Sequence, residues 1–457
     1  MLTWVPQHGI GGAQDLPLPL ELTVVAAAAA LIASVAVAAV AWTRPRYTAL
    51  EPGGSARVAG LPLPRLTRLV DSTAYAVIVR GVGLLAGGWF MLALVFGEDL
   101  ATNPVFGVFY VLVWVGLVPA SLLLGPVVRW LSPVRTLLLL IGKAARIDPR
   151  EGLLPLSPRV GVWPGALTLL AFTWQELVNP ESAYLDGLRI WIAGYLVVTL
   201  LGGLLFGTRW LAAADPFEVF SELVARLSPW AREDDLRHEG RLLLRSPLAH
   251  LAAAPAPPGV TAVVAVLLGT TAYDSLSSLA PYVRLTQESS MDSELLGTLV
   301  MLGLVLLVGV LLVAGAALTP TRDDTHGDVA GRWRTTPGLL SHALVPIAVG
   351  YALAHYLSTL PTTGLQTIAQ ISDPLSRGWN VFGTAGVSPS YVFADHPTVL
   401  ATLVVLFVVV GHVIGALAAH DRALTIVPSG RERVAQLPML VVMVAITVAG
   451  LLLLFAG

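Results

Sequence analysis

Ten long apolar stretches, broken by polar segments, dominate the hydropathy pattern of the chain. They run over roughly residues 20–42, 75–97, 104–124, 161–178, 187–206, 258–278, 295–318, 339–360, 398–420 and 437–455. About twenty apolar residues is the length a helix needs to cross the hydrocarbon core of a bilayer. The pattern predicts an all-α fold: a polytopic bundle of about ten transmembrane spans in one integral membrane domain, residues 1–457. Several stretches begin or end at Pro or Gly, as expected where a chain leaves a helix. The first stretch is too long for a cleaved signal peptide and has no basic leading region, so it reads as an anchor.

Charge gives the bundle a direction. Arginines or the single lysine crowd the segments after spans one (Arg44, Arg46, Arg57, Arg65, Arg68), three (Arg129 to Arg159), five (Arg209 to Arg245), seven (Arg322, Arg332, Arg334) and nine (Arg422, Arg431, Arg433). The opposite connections hold only Arg284 and Arg377. By the positive-inside rule this asymmetry predicts both termini outside a cell membrane that the chain crosses many times. The first partner is therefore the lipid bilayer. A net charge of −2 argues against nucleic acid, and zero cysteines exclude disulfides, thiolate nucleophiles and C-x-x-C-H haem attachment.

Residues 75–228 carry a tandem repeat. Leu122-Leu123-Leu124-Gly125, then Arg129-Trp130, then Ser132-Pro133 in one copy match Leu204-Leu205-Phe206-Gly207, then Arg209-Trp210, then Asp215-Pro216 in the other. Ser132 and Asp215 stand where an N-cap belongs, and the prolines stand at the first helical position. Phe217, Phe220, Val224 and Leu227 recur at helical spacing, which predicts an amphipathic helix lying on the cytoplasmic surface. The first copy, 133–144, is more apolar and is expected against the bundle.

Candidate chemistry concentrates in residues 258–457. Ionisable groups at membrane depth are costly and are functional candidates by default. Asp274 and His355 each lie about sixteen positions into spans running inside to outside, so they share a depth. They are expected to face each other as the core of an outer polar site. Their companions are Thr270, Thr271 and Tyr351, and His8, Glu176, Asp395 and His396 are within reach from the outer surface. Imidazole and carboxylate suit zinc or copper; equally, the carboxylate of a simple pair fixes the imidazole tautomer. His8, Asp274 and His355 are the candidate metal ligands. An inner level pairs His342 with His412 as candidate cofactor ligands. A haem between them fits poorly, since they differ by about 8 Å in depth. Gly411, Gly415 and Ala419 form a small-residue stripe that predicts close packing of the 398–420 span on a neighbour. H-E-x-x-H, G-x-S-x-G and G-K-[ST] are all missing, so hydrolysis would need a metal-bound water or a base such as His355.

Several motifs are similar to those of bacterial membrane proteins called fenitrothion hydrolases. They are His8-Gly9-Ile10-Gly11-Gly12, Gly269-Thr270-Thr271-Ala272-Tyr273-Asp274, Ser341-His342 through Ala354-His355-Tyr356, Asp373-Pro374-Leu375-Ser376-Arg377, Gly411-His412 and Ala419-His420-Asp421-Arg422. The resemblance implies a hydrolase of aryl phosphotriester-type esters, and it carries no catalytic residues with it. Three readings follow. One is a metal-dependent membrane hydrolase of amphiphilic esters. Another is a transporter. The third is a non-catalytic subunit that joins other membrane subunits in a copper- or haem-handling assembly.

Overall fold

The computed structural model describes residues 13–47, 60–234, 238–321, 329–428 and 430–455. Nine helices among these residues are long and apolar enough to cross a membrane. With the helices between them, the elements used below run in chain order as follows. They are α1 (Leu20–Ala41), α2 (Thr73–Phe96), α3 (Gly107–Leu124), α4 (Val127–Leu131), α5 (Pro133–Ala145), α6 (Trp163–Leu177), α7 (Leu185–Phe206), α8 (Thr208–Ala214), α9 (Pro216–Ala225), α10 (Val260–Ser277), α11 (Ala280–Glu288), α12 (Ser293–Ala317), α13 (Thr335–His355), α14 (Pro397–Ile426) and α15 (Leu437–Phe455). Nine apolar helices among the described residues make this a multi-pass, mostly helical protein suited to a bilayer. The stretch expected as a further span, 161–178, is helical as α6. Its fifteen residues reach only about 22 Å.

Local chemistry explains the helix ends. The Ser72 hydroxyl accepts from the Tyr75 amide to cap α2, and the Asp292 carboxylate accepts from the Leu295 amide to cap α12. At the ends of α3 and α7, Gly125 (φ 84°) and Gly207 (φ 72°) take a left-handed turn that a Cβ would oppose. The first nine residues of α3, Gly107–Val115, are wound as a π-helix, and Leu360–Gly364 form a second π turn. Gly107 exposes bare backbone to Thr367, leaving no room for a side chain.

The chain divides into two compact units. The first holds Arg65–Glu222 and Tyr356–His396. Its core is aromatic: the Phe172 ring lies 4.6 Å from Trp114, 5.5 Å from Phe109 and 5.2 Å from Phe217, and Trp191 stacks on Tyr195. Both repeat copies have the expected local form, a capped, proline-led helix, as α5 and α9. Their burial is the reverse of the expectation. In α9, Phe217, Glu218, Val219, Phe220, Ser221, Val224 and Ala225 are all buried, so it is no surface helix. The exposed apolar face belongs to α5, with Leu137, Leu140 and Ile141. The α9 pattern misled because its polar residues have buried partners. Ser221 shares a 2.8 Å hydrogen bond with Ser121, and Glu218 pairs with Arg135.

The second unit holds Ile10–Pro64, Leu223–His355 and Pro397–Gly457. Here α13 lies against α14 along the predicted small-residue stripe. A Cβ on Gly411 would stand 2.5 Å from the Pro346 carbonyl, and one on Gly350 would stand 2.5 Å from that of Phe407. Gly415 meets the Ala343 carbonyl in the same way. A small antiparallel sheet, absent from the all-α expectation, sits in this unit in the order β1-β3-β2. Its strands are β1 (Leu61–Pro62), β2 (Trp230–Asp234) and β3 (Glu239–Leu244). They come from the arginine-rich segments after α1 and α7, where the apolar-run criterion has nothing to detect.

Candidate functional site

The second unit brings Asp274 and His355 together. α10 presents Asp274 and the last residue of α13 presents His355, with Nε2 2.8 Å from Oδ2. The side chains are 7% and 2% exposed, so this ionisable pair is shut away from solvent. The two helices carry them at one depth, as their equal distance into the spans predicts. Tyr351, one turn before His355, lies parallel to the imidazole with ring centroids 6.1 Å apart. Its phenol oxygen is 2.8 Å from Ser275 Oγ, the residue after Asp274. Gly450 of α15 leaves the room this ring needs: a Cβ there would stand 3.0 Å from Tyr351 Cε2. Two helices are thus tied twice within one turn. Thr270 and Thr271, expected as companions, spend their hydroxyls on the Val266 and Leu267 carbonyls of their own helix.

The remaining expected ligands fall elsewhere. His8 lies outside the described residues. Glu176 is half-buried on α6, and His396 is exposed before α14; both belong to the first unit. Among the described residues, no three His, Cys, Asp or Glu side chains gather as a metal site.

His342 and His412 are each held by a carbonyl of their own helix. His342 Nδ1 is 3.0 Å from the Leu339 oxygen, and His412 Nδ1 is 2.7 Å from that of Val408. The helix register places Ala343 by Gly415 and Pro346 by Gly411. His342 and His412 therefore stand about one helical turn, roughly 5 Å, apart in level. At the end of α14, His420 Nε2 meets the Trp42 carbonyl at 2.9 Å, and Nδ1 meets Gln436 Oε1 at 2.8 Å. Asp421 accepts from the Arg46 and Tyr47 amides, while Arg422 donates to the Ala252 carbonyl. His420 and Asp421 thus fasten the chain leaving α1, and Arg422 fastens the segment ending at Ala252.

The first unit holds a second ionic centre that the sequence reading missed. Glu218 accepts from Arg135 through both carboxylate oxygens, one at 3.1 Å from Nε, and Arg129 stands 3.7 Å away. Burial and the neighbouring Arg135 guanidinium lower the pKa of Arg129. Next to this centre, Asp215 caps α9 by accepting from the Phe217 and Glu218 amides and takes a 2.9 Å bond from the Tyr195 phenol. Burial, then the Glu218 carboxylate, push the Asp215 carboxyl up to about 7. The spacing Asp-x-x-Glu at 215–218 signals a capping box, but nothing local names Arg135 as the partner of Glu218.

No protein-family model matches this chain, nor does any curated protein or solved structure.

Proposed function

We propose that the protein is a proton-handling membrane transporter in which Asp274 and His355 carry the proton. The observation behind this reading is the 2.8 Å contact between a carboxylate and an imidazole buried on two apolar helices. Uptake of one proton converts imidazole–carboxylate, net −1, into imidazolium–carboxylate, net zero. In a low-dielectric bundle the state of zero net charge is the less costly to bury. Such intramembrane pairs mark proton relays. Tyr351 and Ser275 hold the imidazole face and the two helices in register. The finer topology belongs to this proposal: ten spans including α6, both termini outside, in the plasma membrane. A reporter fused after Gly457 that proved cytoplasmic would overturn that topology.

The test is proton flux into proteoliposomes under an imposed membrane potential, read with an entrapped pH dye. Wild-type protein is expected to exceed protein-free vesicles, and Asp274→Asn and His355→Ala to abolish the excess. Flux that is absent in the wild type, or unchanged in both variants, would refute the reading.

The same pair favours a second reading. A carboxylate beside an imidazole is an arrangement suited to a general base, in keeping with the hydrolase implied by the motif resemblance. Release of nitrophenol from an aryl phosphotriester, lost in His355→Ala, is its signature. A metal would enter only with a third donor such as His8.

A further inference from the structure

Residues 371–396 connect Leu365–Gln370 to α14 without a long helix of their own. Such a connection between spans is ordinarily an aqueous loop. Its backbone is instead tied inward at many points. The Trp89 indole donates to the Ile371 carbonyl at 2.9 Å. The Ser372 hydroxyl accepts from the Phe382 and Thr384 amides, and the Asp373 carboxylate accepts from those of Arg377 and Gly378. Asn380 Oδ1 accepts from the Ala385 amide, and the Ser390 amide donates to the Pro361 carbonyl. At the tip, the Val381 amide donates to the Ser372 carbonyl at 3.2 Å, so the backbone there is fixed by the loop itself.

Its side chains point the same way. Trp379, Val381 and Phe382 are 43%, 55% and 55% exposed on this ordered loop. Phe382 packs on Trp89 with ring centroids 5.1 Å apart. Trp89 lies seven residues before the end of α2 at Phe96, about 10 Å down the helix axis. It shares one face of α2 with Val82, Leu85 and Phe96, all strongly exposed apolar residues, Leu85 at 77%. That face is the lipid-facing surface of a span, and the loop's apolar side chains continue it.

We propose that the apolar side chains of Trp379, Val381 and Phe382 insert into lipid beside α2, as a rigid wedge rather than an aqueous connection. Trp379 is of a residue type that membrane interfaces favour.

The absence of cysteine makes the test direct. Single cysteines replace Val381, Leu85 and Glu98, the last in the turn just past α2, and each is spin-labelled in lipid nanodiscs. Collision rates with oxygen, which enters lipid, and with a nickel chelate, which stays in water, are then compared. The label at 381 is expected to match the one at Leu85: high oxygen and low nickel accessibility. Nickel accessibility equal to that at Glu98 would overturn the proposal in favour of an aqueous loop. Low accessibility to both would overturn it in favour of a protein cover.

Discussion

Each compact unit buries an ion pair, and the two pairs are built for different work. Glu218 of the first unit meets two guanidinium groups, Arg135 and Arg129, that stay charged at any physiological pH. Asp274 of the second unit meets His355, whose charge depends on a proton. An ion pair between permanently charged groups can only be made or broken. A carboxylate–imidazole pair has two protonation states that both fit the same geometry. Burial alone therefore does not mark a functional charge; the titratability of its partner does.

Removing the acid from each pair tests this contrast. Glu218→Ala leaves Arg135 and Arg129 without their carboxylate in a buried setting, and breaking a buried pair costs about 3–5 kcal/mol. Denaturant unfolding in detergent should show that loss, or the protein should fail to accumulate. Asp274→Ala leaves an imidazole that can discard its charge. The expected cost is that of one unmet polar group, about 1–3 kcal/mol, with proton flux lost in protein that still folds. Equal costs for the two variants would erase the distinction.

The smallest effect concerns Asp215. Burial and Glu218 disfavour its charge and push its folded carboxyl up to about 7, from the ordinary carboxylate value of 3.8. Between about pH 4 and pH 7 the folded state thus binds more protons than the unfolded chain, so this group makes stability fall as pH rises through that window. The Tyr195 phenol and the Glu218 and Phe217 amides oppose the shift by donating to the carboxylate. Asp215→Asn keeps a capping oxygen and an acceptor for Tyr195. It should match wild type below about pH 4 and exceed it by at least about 1 kcal/mol, one pKa unit's worth, above pH 7. Parallel stability curves across that range would show that Asp215 does not titrate there.

Much of this architecture was legible before folding was considered. Apolar run length is a property of consecutive residues, and a bilayer core demands a fixed length, so the long helices stood out from composition alone. The Asp274–His355 contact was legible for a related reason: equal distance into two parallel-running spans means equal depth. The stripe Gly411, Gly415 and Ala419 foretold a close helix contact, and the tertiary structure supplied α13 as the partner. What packing alone decided was which buried faces meet. Glu218 and Arg135 are 83 residues apart, and Glu218 reads locally as a surface charge on an amphipathic helix. Helical periodicity separates an apolar face from a polar one, but it cannot say whether water or an arginine will face the polar side. The same ambiguity reversed the roles of α5 and α9 and hid the sheet in the arginine-rich segments. Hydrophobicity is summed along the chain and can be read there; charge compensation is settled between helices, where register and distance decide it.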